Sequence, residues 1–185
     1  MKAGVLALQG DFREHARALS DAGASPVEVR TAHELADVDL LVIPGGESTT
    51  IAKLAVAGGL VGPVRDRVAG GMPVFGTCAG MIVLAERVEG GEPLFGVIDV
   101  TVRRNAYGRQ IDSFEADVLV RGIDHPVRGV FIRAPRVEDV GPGVRVLAEH
   151  EGHPVVLEQG NVVVASFHPE LVGDAALHEY VMRKV

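Results

Sequence analysis

A cysteine between two glycines and a histidine two residues before a glutamate are the groups in this chain whose spacing suits covalent catalysis. Cys78, the single cysteine among 185 residues, lies in Pro73-Val74-Phe75-Gly76-Thr77-Cys78-Ala79-Gly80-Met81. A short apolar run enters the first glycine and a helical-looking run leaves the second. The pattern is G-x-C-x-G at a strand-to-helix turn, the cysteine counterpart of the G-x-S-x-G nucleophile elbow. Such a turn presses its neighbours together, so the flanking positions take glycine, which has no Cβ to clash. It also sets the sulfur at a helix N-terminus, where free N–H groups and the positive end of the dipole favour thiolate. Taken alone, a lone cysteine is most often a small buried hydrophobe, and a cysteine nucleophile needs a histidine from elsewhere in the chain.

That histidine is His168. The run Val162-Val163-Val164-Ala165-Ser166-Phe167-His168-Pro169-Glu170 reads as a buried strand ending in a base, a proline and a carboxylate. Functional groups in α/β sheets gather at the carboxyl ends of strands. Pro169 keeps His168 out of helical geometry. Residues two apart in extended chain point the same way, so Glu170 is placed to fix the imidazole tautomer. By itself His-Pro-Glu would read as the first turn of a helix. With Cys78 it supplies nucleophile, base and orienter, in the chain order Cys, His, Glu rather than the Ser, Asp, His of α/β-hydrolases.

A third segment, Ile43-Pro44-Gly45-Gly46-Glu47-Ser48-Thr49-Thr50, closes another apolar run. Its two glycines let backbone approach a ligand, Ser48 or Thr49 could cap the next helix, and its N–H groups could hold an oxyanion or a carboxylate. The plain reading is a strand–helix turn. His15 and His178 are expected on helix surfaces, His33 in a polar connection, His125 in a turn, and His150 and His153 on either side of Glu151-Gly152. Each of these six is expected to be solvated or locally bonded. His150 and His153 have no supporting cluster, so no metal site is expected.

These groups need a scaffold. Strands are expected at residues 3–8, 27–29, 39–43 and 74–75, the third a continuous apolar run suited to a parallel strand covered on both faces. Helices are expected at 12–22, capped by Asp11 and with Phe12, Ala16 and Leu19 inward, and at 49–57, 61–69 and 81–87. Alternating strand and helix implies an α/β fold with a central parallel sheet. After Gly90-Gly91 the rhythm changes to strands at 94–103, 114–120, 130–133, 144–150, 155–158 and 162–167, which points to added antiparallel pairing in the second half. A helix at 174–184 ends the chain.

Composition narrows the function class. The length suits one domain, residues 1–185, with a sizeable core. The net charge is −7 without a basic block, which argues against nucleic acid as a partner. One cysteine fits a reducing compartment, and no apolar segment approaches the ~20 residues that span a bilayer. A cytoplasmic protein is expected.

Pro44-Gly45-Gly46, Gly76-Thr77-Cys78-Ala79-Gly80 and His168-Pro169-Glu170 together resemble the class I, triad-type glutamine amidotransferases. Leu8-Gln9-Gly10-Asp11, Gly45-Gly46-Glu47-Ser48-Thr49-Thr50, Arg104-Asn105-Ala106-Tyr107-Gly108-Arg109-Gln110, Asp112-Ser113-Phe114-Glu115 and Phe131-Ile132-Arg133-Ala134-Pro135 extend the likeness, as does Ser166-Phe167 before the His-Pro-Glu. Within the family they resemble the glutaminase subunits of pyridoxal 5′-phosphate synthases. The likeness runs nearly end to end, and the tail after Leu171 carries least of it.

The resemblance implies a flavodoxin-like three-layer sandwich with a central, mostly parallel sheet and no cofactor. Cys78 would attack the side-chain amide of L-glutamine, and His168, oriented by Glu170, would move the proton. Backbone N–H groups of Gly46 and Ala79 would hold the oxyanion. Gly46, Glu47, Ser48, Arg104, Ile132 and Arg133 match positions that contact glutamine. An arginine fork suits the α-carboxylate, although by itself Arg133 reads as a surface ion pair. Ammonia freed into water is lost as a nucleophile. The resemblance therefore implies a partner, a (β/α)8-barrel synthase subunit in a hetero-oligomer, whose docking activates the glutaminase. Rival readings are service to another synthase, such as one for imidazole glycerol phosphate or GMP, a redox or peptidase-like elbow-cysteine protein, and an inactive binding module. Gly46-Glu47-Ser48 and Phe131-Ile132-Arg133 speak against the first, and His-Pro-Glu near the C-terminus speaks against the second.

Overall fold

The computed structural model describes residues 1–104 and 113–185. Positions 105–110 and 112 of the amidotransferase-like segments lie outside the described residues. The chain runs β1 (Lys2–Leu6), α1 (Phe12–Asp21), β2 (Ser25–Val29), α2 (Ala32–Ala36), β3 (Leu40–Ile43), α3 (Ser48–Ala57) and α4 (Val61–Ala69). It continues through β4 (Val74–Thr77), α5 (Ala79–Leu84), β5 (Ala85–Glu89), β6 (Ile98–Arg103), β7 (Phe114–Val118), β8 (Val127–Phe131) and β9 (Arg136–Val140). The last elements are β10 (Arg145–His150), β11 (His153–Gln159), β12 (Val162–Ala165), a 3-10 turn at Pro169–Val172 and α6 (Ala176–Met182).

Among the described residues the main sheet has the order β10-β11-β12-β4-β3-β1-β2. Its five parallel strands follow the doubly wound order 2-1-3-4-5 when β12 is counted fifth. β11 and β10 extend that sheet antiparallel from β12, the added strands that the second half of the sequence foretells. Side chains alternate between two cores. Leu41, Ile43, Val74, Val162 and Val164 face one side with Ile51, Val64 and Met81 of α3, α4 and α5. Leu40, Val42, Phe75, Val163 and Ala165 face the other with Leu19 of α1 and Leu177 of α6. Burial on both faces is why these strands read as unbroken apolar runs.

Register decides where the motifs go. Ile43 pairs with Gly76 and Thr77 with Ala165, so β3, β4 and β12 end level with one another. The Cys78 N–H donates to Ala165 O at 2.8 Å. The segments that begin at Pro44, Cys78 and Ser166 therefore emerge side by side at the carboxyl edge.

Four expectations change. The run 81–87 is not one helix: α5 stops at Leu84, Ala85 is extended, and β5 pairs parallel with β6. Arg87 then spans the pair, donating to Thr101 Oγ1 and Asp99 Oδ1 at 2.8 and 2.7 Å. The segment around His33 is helical, because Thr31 and Glu34 form a reciprocal capping box. Glu47, not Ser48 or Thr49, caps α3, accepting from Thr49 N and Thr50 N. Asp11 precedes α1 but makes no side-chain cap, because its carboxylate is turned toward His168.

Candidate active site

The elbow is as tight as its glycines suggest. Cys78 has φ 49° and ψ −103°, a conformation that a side-chain-bearing residue adopts only when its surroundings force it. A Cβ on Gly76 would lie 2.5 Å from Leu84 Cδ1 and 2.7 Å from the Gly80 carbonyl carbon. One on Gly80 would lie 2.1 Å from Ile43 O. Crowding between β3, β4 and the first turn of α5 is thus what sets both glycines. Ala79, the first residue of α5, has an N–H without an intrahelical acceptor.

His168 comes to the sulfur from the next strand. Its N–H donates to Val130 O at 2.9 Å, tying the segment to β8. The ring lies against Gly45, where an added Cβ would be 2.2 Å from His168 Cε1, so glycine at 45 makes room for the imidazole. Nδ1 faces Glu170 Oε1 at 2.8 Å and Asp11 Oδ2 at 3.4 Å. That leaves Nε2 for the Cys78 side. The His-Pro-Glu segment is extended at His168 and enters the 3-10 turn at Pro169, so both readings of that tripeptide describe part of it.

Burial opposes charge on this pair, and each member's neighbours favour it. Desolvation disfavours the imidazolium, but the neighbouring Cys78 and Glu170 outweigh it and raise His168 to about 10. Glu170 is likewise buried, and His15 and His168 hold it well below the usual carboxylate range. Asp11 is pushed up, chiefly by burial.

A cleft of about 440 Å³ opens over the sulfur. Gly46, Glu47, Ser48, Arg104, Ile132 and Arg133 all line it with Cys78 and His168. Glu170 and Ala79 are buried and are not among the lining residues, Glu170 meeting the cleft through His168. The Cys78 sulfur is 4.0 Å from Ile132 O, and Arg133 follows with φ 44°. Arg104 reaches Thr49 Oγ1 at 3.2 Å and Glu47 Oε1 at 3.4 Å. Glu47 falls to about 2, mainly through the Thr50 hydroxyl and the capped N–H groups.

Gln9, Asp11 and Ile82 also line the cleft and were absent from the expected site residues. Gln9 Oε1 accepts from Glu47 N at 2.7 Å, and the Asp11 N–H donates to Gly45 O at 3.1 Å. The signal was available, since Gln9-Gly10-Asp11 follows the strand adjacent to β3 and must emerge beside Gly45-Gly46.

The expectations for His15 and His178 are overturned. Both are fully buried, at 0% and 1% exposure, and bond each other, with His15 also bonded to Thr77 Oγ1 and 3.3 Å from Glu170 Oε1. His150 is not simply solvated either: it stacks on Phe114 and Phe131 at centroid distances of 5.4 and 5.5 Å.

An elbow cysteine, a strand-end histidine–glutamate pair and this sheet order define the class I glutamine amidotransferase architecture. A solved structure described as a glutamine amidotransferase superposes with a TM-score of 0.94 at 49% identity, covering 98% of this chain and 97% of its own. PurLQS from Thermotoga maritima shares the fold at 18% identity, with a TM-score of 0.75 over 99% of this chain and 95% of its own. The pyridoxal 5′-phosphate synthase subunit PdxT of Acidothermus cellulolyticus is 58% identical, covering 100% of this chain and 93% of the relative. Residues 5–185 match the SNO glutamine amidotransferase family, and the chain belongs to that family.

Proposed function

We propose that residues 1–185 form a single glutaminase domain that hydrolyses L-glutamine to L-glutamate and ammonia for pyridoxal 5′-phosphate synthesis. The observation that carries the reading is the His168–Glu170 pair beside Cys78, at the level ends of β12 and β4. Membership of the amidotransferase family and the PdxT relatives support the choice of substrate and pathway.

His168 holds the proton taken from the Cys78 thiol, and the sulfur attacks the glutamine side-chain amide carbon. The tetrahedral oxyanion is held by the N–H groups of Gly46 and Ala79. His168, its Nδ1 engaged by Glu170, gives a proton to the amide nitrogen as the C–N bond breaks, and ammonia leaves. Water, deprotonated by His168, then attacks the glutamyl thioester, and the thiolate departs with glutamate released. Arg104 or Arg133 pairs with the substrate carboxylate, and Glu47 and Ser48 with the polar remainder.

Ammonia is useful only as the unprotonated nucleophile, so a second protein has to receive it. The partner in this reading is a (β/α)8-barrel synthase subunit, in a hetero-oligomer in the cytoplasm. Docking is expected to raise turnover, on the order of tenfold or more, by completing the site around glutamine. The test is glutamate release by the purified chain alone and mixed with its cognate barrel subunit. Equal rates in the two mixtures would contradict the proposal.

A further inference from the structure

Two buried histidines outside the triad lie behind Glu170 and bond each other. His15 of α1 places Nε2 2.9 Å from Thr77 Oγ1 and 3.3 Å from Glu170 Oε1. His178 of α6 places Nε2 2.8 Å from His15 Nδ1. Glu170 is an ionised acceptor, so the nitrogen facing it carries a proton. With Nε2–H of His15 donating, its Nδ1 accepts from Nε2–H of His178. The remaining atom, His178 Nδ1, is then a bare lone pair, and it has no hydrogen-bond partner among the described residues.

Glu170 needs such support. Its Oε2 is also buried without a partner, so the carboxylate is held through Oε1 alone, shared by His168 and His15. The His15 ring joins four elements at one point: α1, α6, the residue before Cys78 in β4, and the turn that carries Glu170. Phe75 walls the group in, edge-on to His15 at 6.3 Å and to His178 at 5.4 Å. An apolar side chain would fill this space at less desolvation cost. A histidine there sets a polar nitrogen 3.3 Å from the carboxylate that orients the base, anchored by its bond to Thr77 Oγ1.

We infer that His15, held in turn by His178, is a positioning residue that fixes the Glu170 carboxylate for His168. The inference rests on the reading of Cys78, His168 and Glu170 as the reacting and orienting groups. The other ionisable groups facing this chain are Asp11, from the loop before α1, and Cys78.

The experiment compares wild type, His15→Phe, His15→Gln, His178→Phe and Cys78→Ala, each mixed with the barrel subunit. It follows kcat and KM for glutamine across pH, and the downfield proton signal of the His168–Glu170 hydrogen bond by NMR. His15→Phe is expected to lower kcat about tenfold or more, with KM within about twofold. It should also displace the pH profile and broaden or shift the His168 signal. His15→Gln keeps an N–H near the Nε2 position and should recover most of both. His178→Phe should show a smaller loss in the same direction.

An unchanged kcat and an unchanged His168 signal in His15→Phe would overturn the inference. So would a loss that His15→Gln fails to rescue and that merely follows a fall in Tm. If His15→Phe does not fold, His178→Phe and His15→Gln carry the test. Turnover that persists in Cys78→Ala would sink the triad itself, whereas the NMR signal reports the His15 effect independently of turnover.

Discussion

Cys78→Ala is expected to cut partner-supported glutamine turnover by about 10⁴-fold or more, with the fold intact. Nothing else in the cleft can form the thioester, since the chain has no other cysteine. Removing one atom from a small buried side chain should cost only about 1 kcal/mol of stability. His168→Asn should lose nearly as much turnover, because a sulfur without its base is no longer an activated nucleophile. The double variant should be scarcely worse than either single one, as groups that act as a unit are strongly non-additive. Steady-state glutamate release beside a thermal melt checks all three. Additive losses, or a Cys78→Ala variant that keeps measurable turnover, would mean that another group does the chemistry.

Gly80→Ala should be the most damaging single methyl in the elbow. The new Cβ would sit 2.1 Å from Ile43 O, a backbone atom that cannot swing aside. Either β3 or α5 must move, and the Ile43↔Gly76 register that brings the Pro44 segment level with Cys78 goes with it. Overpacking of this kind costs about 3 kcal/mol, which for a chain of this size is a fall in Tm of roughly 6–12 °C. Turnover should fall further than stability alone explains. Gly62→Ala is the contrast. It lies in α4, and an added Cβ would meet nothing within 4 Å. Alanine has less backbone entropy to lose than glycine, but position 62 precedes Pro63, whose ring disfavours helical backbone at a residue that carries a Cβ, so its Tm should change little. A Gly80→Ala protein as stable as wild type would refute the crowding explanation of the elbow.

The parts of the site that could be read from sequence were those with a local backbone signature. Glycines about Cys78, glycines after Ile43 and a proline after His168 each announce a strand end. Adjacent parallel strands then bring such ends together without further information. What local reading missed was settled by tertiary pairing. The five residues of β5 have a charged, helix-compatible sequence and become a strand because Arg87 and Val88 find partners across on β6 and in the core. β9 went unrecognised because three of its five residues are charged. It pairs with β6 along one edge and buries Val137 inward.

The two buried histidines depart furthest from their expected place. Surface usage of histidine argues for solvent, yet His15 shares the 12-15-19 spacing of the inner face of α1, and His178 stands one turn before the buried Val181 on α6. Position on the helix outweighs residue type at both. α2 shows the opposite case, a short helix whose capping box, Thr31 to Glu34, was legible all along.

In the proposed mechanism glutamine becomes a thioester on Cys78. The direct measurement is an acid quench of the chain turning over glutamine with its barrel partner, followed by the mass of the Cys78 peptide, with and without hydroxylamine. The expected result is a glutamyl adduct on Cys78, which hydroxylamine diverts to γ-glutamyl hydroxamate at the expense of glutamate. Full-rate glutamate release with an unmodified Cys78 and no hydroxamate would contradict it.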